Sequence, residues 1–144
     1  MSIRLEQINI DNWFECSQLS VKPEQERFVS SNLLCIAEVQ FYPSWGAYAL
    51  YHSDEMVGFV MYEHDEPEEE WWVSSLMIAA EHQGKRYGRL AMTALINLIV
   101  AQGCTEILVG YSNDNEAARN LYQGFGFVEQ GLDDEGDMVS RLKL

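Results

Sequence analysis

One stretch constrains this chain more than any other: an apolar strand that feeds a helix through a basic, glycine-punctuated turn. Trp71 to Ile78 is aromatic and β-branched enough to form a strand. Gln83-Gly84-Lys85-Arg86-Tyr87-Gly88-Arg89 follows it. Ala91, Ala94, Leu95, Leu98 and Ile99 then recur at helical spacing, and Gly103 stops the helix. The first turn of such a helix has backbone N–H groups without intrahelical partners, at the positive end of the helix dipole. Glycines let an anion approach that backbone closely. Three of the nine Lys and Arg residues, Lys85, Arg86 and Arg89, fall in this turn, although the chain carries a net charge of −14. That local reversal of charge calls for an anion, and the architecture suits a diphosphate. No GK[ST] follows the glycines, so this is not a nucleotide-triphosphate loop. GxGxxG and a surrounding βαβ unit are also absent, so it is not a dinucleotide fingerprint.

The rest of the chain supplies a sheet around this unit. Ile3 to Ile10 reads as a first strand, and Asp11 caps a short helix through Leu19. Pro23 opens a second helix, with Val29, Leu33, Ile36 and Ala37 at helical spacing, and Pro43 ends it. Ala47 to His52 and Met56 to Tyr62 form a hairpin about Ser53-Asp54-Glu55. Glu63 to Glu70, with six acids in eight residues, reads as a loop. After the long helix, Glu106 to Tyr111 is a strand. Asn113 to Asn115 then caps a helix with Ala118, Leu121, Tyr122 and Phe125 on one face. Phe127 to Leu132 and Met138 to Leu142 close the chain as a hairpin. The order predicts an α/β (mixed α+β) domain over residues 1–144, a mixed sheet with flanking helices.

Charge and cysteine usage narrow the partners. With 9 basic against 23 acidic residues, the chain is a poor match for nucleic acid or an anionic membrane. Its charge favours a small cationic partner. No apolar run is long enough to span a bilayer, and Met1-Ser2-Ile3-Arg4-Leu5-Glu6 contains no apolar signal core. Cys16, Cys35 and Cys104 are odd in number and far apart. They are expected as buried thiols in a reducing cytoplasm rather than as disulfides or a metal site. His52, His64 and His82 have no ligand spacing, so no metal is expected.

Two segments carry a family resemblance. Ile78-Ala79-Ala80-Glu81-His82-Gln83-Gly84-Lys85-Arg86-Tyr87-Gly88 resembles motif A of the GNAT N-acetyltransferases, whose loop reads Q/R-x-x-G-x-G/A. Asn115 to Phe127 resembles that family's second signature, N-x-x-A-x-x-x-Y-x-x-x-G-F. Order and spacing both agree, and the likeness extends from about Ile3 to Leu142. Two departures stand out: Arg86 occupies the usual middle glycine, and Ala80 a common proline. The whole-chain pattern is most similar to the bacterial spermine/spermidine acetyltransferases of this superfamily.

The resemblance implies a mostly antiparallel central sheet whose fourth and fifth strands splay apart, acetyl-CoA as cosubstrate, and a homodimer. It implies that the backbones of Met77 and Ile78 pair with the pantetheine arm. The segment Gln83, Gly84, Lys85, Arg86, Tyr87, Gly88 and Arg89 would hold the diphosphate. Asn115 would hydrogen-bond the arm, and Tyr122 would protonate the departing thiolate. The amine would attack directly, with no acyl-enzyme. A base or water route must deprotonate it, and Glu70, Glu38 and water held by Ser74 or Ser75 are the candidates. The acidic segment Glu63 to Glu70, with Trp45, Tyr48, Trp71 and Trp72, suits a polyamine. An aminoglycoside or a protein N-terminus as acceptor, or a non-catalytic acyl-CoA-binding module, remain open alternatives.

Overall fold

Among the described residues, seven strands form one sheet in the order β1-β2-β3-β4-β5-β7-β6. The computed structural model describes residues 2–144, and Met1 lies outside the described residues. The strands are β1 (Arg4–Gln7), β2 (Gly46–His52), β3 (Glu55–Asp65), β4 (Glu70–Ile78), β5 (Glu106–Ser112), β6 (Val128–Leu132) and β7 (Asp137–Lys143). All neighbours pair antiparallel except β4 and β5, which are parallel. The mixed α/β class is as the element order predicts, and the mostly antiparallel sheet is as the resemblance implies.

Among the described residues, four α-helices cover the two faces: α1 (Trp13–Gln18), α2 (Asn32–Val39), α3 (Tyr87–Val100) and α4 (Glu116–Gly124). On one face, Tyr87, Ala91, Met92, Leu95 and Ile99 of α3 share a core with Val73, Ile107, Val109 and Tyr122. On the other, Cys16 of α1 and Cys35 and Ile36 of α2 pack with Ala49, Phe59, Met61 and Met77.

Two expectations are corrected. The helix from Pro23 to Pro43 is divided into a 3-10 helix, Pro23–Phe28, and α2. Ser31 breaks it by capping α2, its hydroxyl accepting from the Leu34 N–H at 3.1 Å. Restarting at Asn32 turns the buried face to Asn32, Cys35 and Ile36, and leaves Leu33 and Ala37 exposed. The acidic loop is also shorter than expected. β3 runs on to Asp65 and β4 begins at Glu70, paired with each other, so only the turn between them is free.

The parallel junction explains the splay. β4 and β5 pair only at Trp72↔Leu108 and Val73↔Val109. Beyond that point β5 keeps its partner β7 as far as Ser112↔Asp137, while β4 keeps β3 as far as Ile78↔Gly58. A bulge lies at the same place. Met61 pairs with Ser75 and Tyr62 with Val73, which leaves Ser74 as the extra residue. Side chains alternate along a strand, so one extra residue exchanges the faces. Trp71 and Val73 therefore face α3, whereas Met77 joins the α1–α2 core.

Candidate active site

The splay opens a groove of about 390 Å³ between β4, the start of α3 and α4. Its lining includes Met77, Ile78, Gln83, Gly84, Arg86, Tyr87, Gly88, Arg89, Asn115 and Tyr122. Ten of the eleven cofactor-site residues predicted from sequence thus meet on one surface. Lys85 is exposed on the same loop but does not line the groove.

The loop presents an open backbone to the groove. A Cβ built on Gly84 or Gly88 would meet nothing within 4 Å, so both glycines face open space. Gly84 has φ +81° and Arg86 has φ +67°, both left-handed. Arg86 precedes the first residue of α3 and takes, as a non-glycine, the conformation that glycine adopts without strain. The N–H groups of the next turn are therefore presented to the groove. Among the described residues, no ion pair involves Lys85, Arg86 or Arg89. Arg89 instead lies over the Phe125 ring at 5.0 Å, which joins the loop to the end of α4.

At the far end, Tyr122 is held by aromatic rings. It stacks on Tyr111 with centroids 5.6 Å apart and meets Phe127 edge-on at 5.5 Å. Burial, with Tyr111 adding to it, pushes its phenol above the ordinary range. Asn115 caps α4, its Oδ1 accepting from the Ala118 N–H at 3.2 Å. Its amide N–H groups are left for a ligand.

A smaller chamber of about 160 Å³ continues past Tyr122 and Asn115 into the splay, where Ser74, Ser75, Val29 and Ser30 line it. Phe28 and Val29 line both cavities. They follow a strap fixed at two points. Gln25 and Gln83 exchange hydrogen bonds of 3.1 and 2.8 Å, and Arg27 pairs with Asp114 at 3.0 Å. The strap was not legible as part of the site, because it reads locally as a helix and meets the groove only through tertiary contacts.

Residues 5–127 match the acetyltransferase (GNAT) family. Over the whole of both chains, this protein is 31% identical to the spermine/spermidine N(1)-acetyltransferase of Bacillus subtilis strain 168.

The chain belongs to the GNAT acetyltransferase family.

It is an N-acetyltransferase, and the fold agrees with solved members of that family. One modifies the N-terminal serine of ribosomal protein L7/L12 in Salmonella typhimurium. It has a TM-score of 0.82 at 14% identity and covers 100% of this chain and 96% of its own. Another is spermidine N-acetyltransferase from Vibrio cholerae, solved with CoA and spermine. It has a TM-score of 0.77 at 19% identity and covers 99% and 95%. Overall shape therefore does not choose the acceptor.

The GNAT frame sorts the proton-acceptor candidates. Ser74 and Ser75 line the chamber. Glu70 does not; it opens β4 opposite Asp65, beside the hairpin turn, and lines neither the groove nor the chamber. Glu38 is exposed on α2. Glu63, which the sequence placed in a loop, lies within β3 opposite Trp72. Burial first, then Asp65 and Glu38, raise its carboxyl, while Ser74 opposes the shift. Only the continued strand alternation past Tyr62 could have signalled it.

Of the aromatic candidates, Trp71 is buried and stacked on His64 at 3.8 Å. The hairpin turn also does what sequence spacing did not show. It brings possible ligand atoms of His64, Glu66 and Glu69 within 4.8 Å of one another, with His64 Nε2 already 2.8 Å from Glu69.

Proposed function

We propose that this GNAT enzyme transfers an acetyl group from acetyl-CoA to a primary amine of a polyamine such as spermine or spermidine. The observation that carries the reading is the continuity of the groove. An anion cradle of free N–H groups and unpaired cations lies at one end, and a buried neutral phenol at the other. Bound acetyl-CoA would supply the acetyl group as a thioester. The N–H groups from Gly84 to Arg89 would hold its diphosphate. The edges of Met77 and Ile78 that splay from β5 would pair with the amide-bearing arm, and Asn115 would donate to it. Tyr122 would donate its proton to the sulfur as the carbon–sulfur bond breaks.

The acceptor reading rests on the polyamine relatives and on charge. The chain carries a net charge of −14, and the β3–β4 hairpin gathers Glu63, Asp65, Glu66, Glu68, Glu69 and Glu70 at the other end of β4 from the splay. An acidic rim attracts a polycation, and salt screens that attraction. The reading includes a homodimer in the cytoplasm. The three cysteines are free and buried, and among the described residues no helix is long and apolar enough to cross a membrane.

The deciding experiment is acetyl-CoA turnover against a panel containing spermine, spermidine, an aminoglycoside and a peptide N-terminus. The expected result is preference for the polyamines, with KM rising steeply with salt. Preference for another amine, or a KM indifferent to salt, would overturn the polyamine reading.

A further inference from the structure

Ser75 is a misfit in its own fold. It lies on β4 two residues past the last pair with β5, and the bulge at Ser74 turns it toward α2. The residue is buried, with 8% exposure. Its hydroxyl is the one buried side-chain oxygen or nitrogen among the described residues without a hydrogen-bond partner. The polar group facing it is the Cys35 thiol, too weak a partner to satisfy a hydroxyl. A buried polar group without a partner destabilises a fold, and native chains seldom keep one without a reason.

The location supplies a reason. Ser75 lines the inner chamber that Tyr122 and Asn115 also line. The chamber extends the groove past Tyr122 to the α1–α2 side, where Val29 and Ser30 form the opposite wall. Cosubstrate lying along β4 from the anion cradle would end at Tyr122, so an acceptor must arrive from the chamber. The two neighbouring hydroxyls differ. Ser74 already donates to the Met61 carbonyl at 3.2 Å and is exposed, whereas Ser75 has its lone pairs uncommitted.

We infer that Ser75 orients the acceptor, its hydroxyl oxygen accepting a hydrogen bond from the attacking amine nitrogen within this chamber. This rests on the acetyl-transfer reading above. The hydroxyl hydrogen turns to the Cys35 sulfur, which leaves the oxygen lone pairs for the amine N–H. With one N–H so held, the nitrogen lone pair is aimed at the thioester carbonyl. The carbon–nitrogen bond then forms and the carbon–sulfur bond breaks. The nitrogen gives up one proton to solvent on becoming an amide. The sulfur takes one from Tyr122, which regains it from solvent. Ser75 neither gains nor loses a proton.

The test compares four variants of the full chain with acetyl-CoA and spermine. Ser75→Ala should lower kcat/KM for spermine at least tenfold and leave CoA affinity within twofold. It should leave the melting temperature nearly unchanged, because the hydroxyl it removes has only the weak Cys35 sulfur as a partner in the fold. Ser75→Thr and Ser75→Val are isosteric and differ only in the hydroxyl, so Thr should turn over at least fivefold faster than Val. Cys35→Ala should retain most of the activity, since the amine contact remains. A Ser75→Ala enzyme within twofold of wild type, or Thr and Val turning over alike, would overturn the assignment while leaving the acetyl-transfer reading intact. If the wild type ignores spermine but acetylates another amine, the polyamine reading fails, and the same comparison run with that amine decides Ser75. A wild type that binds CoA but acetylates no amine overturns both.

Discussion

Tyr111 stacks on Tyr122 with 23° between the ring planes and 5.6 Å between centroids, and its own hydroxyl lies 2.9 Å from that of Ser140. That pair fixes the phenol proposed as acid. Ser140 belongs to β7 and Tyr111 to β5, so the acid is braced by the sheet. Tyr122→Phe keeps the ring contacts and removes only the proton. We expect kcat to fall by roughly 10²–10⁴-fold, the usual reach of a general acid, with CoA affinity unchanged. Parallel loss of both, measured by steady-state kinetics and calorimetry, would assign Tyr122 to binding instead.

Arg86 holds φ +67° immediately before α3. A left-handed L-residue costs roughly 1–2 kcal/mol, and a β-branched side chain tolerates the region worst. Arg86→Gly should therefore fold at least as stably as wild type, and Arg86→Val less stably by about 1–2 kcal/mol. Denaturant unfolding separates them. Equal stability of the two variants would show that the turn relaxes rather than keeping its geometry.

Gly88 lies in the first turn of α3 with open space where a Cβ would stand. Glutamate is the better helix former by roughly 0.5–1 kcal/mol, and an acid in the first turn suits the dipole. Gly88→Glu should raise the melting temperature. It should also weaken CoA binding by about a hundredfold, because a carboxylate then stands in the proposed diphosphate seat. A stabilised variant with unchanged CoA affinity would remove the diphosphate from this turn.

Cys16 is fully buried, and burial, then Glu15 and Cys35, push its thiol from 9.0 to about 12. The folded state therefore holds the proton more tightly than the unfolded state. Stability from this group is complete below pH 9 and is lost as pH rises toward 12. Cys35 and Tyr122 shift in the same direction, also chiefly through burial. Unfolding free energy should fall above pH 9 by about 1.4 kcal/mol per pH unit for each proton involved. Cys16→Ala should reduce that slope, and an unchanged slope in chemical denaturation across pH 8 to 11 would dismiss Cys16 as its source.

The parts of the site that were legible share one property: their geometry is set within a single continuous segment. Gln83 to Arg89 could be read because glycines and orphan N–H groups act through the local backbone. Asn115 could be read as a cap, and Tyr122 as a residue on the inward face of α4. The second helix is interrupted because Ser31 competes for the backbone in the middle of its apolar spacing. Glu70 failed to reach the groove because a hairpin pairs it with Asp65, and pairing across strands is invisible to spacing along one.

By itself, then, the sequence determined the element order, the anion-binding turn and the family. Local propensity, glycine placement and two motifs suffice for those. The tertiary structure decided where β4 parts from β5 and which face each β4 side chain takes. It also decided that the strap tied to Gln83 and Asp114 brings Phe28 and Val29 to the groove wall. The splay arises because β5 stays with β7 while β4 stays with β3. The bulge at Ser74 then reverses the strand's faces, and the Ser75 hydroxyl is left buried at the chamber without a hydrogen-bond partner. Both are outcomes of register between distant segments, and no single segment carries that register.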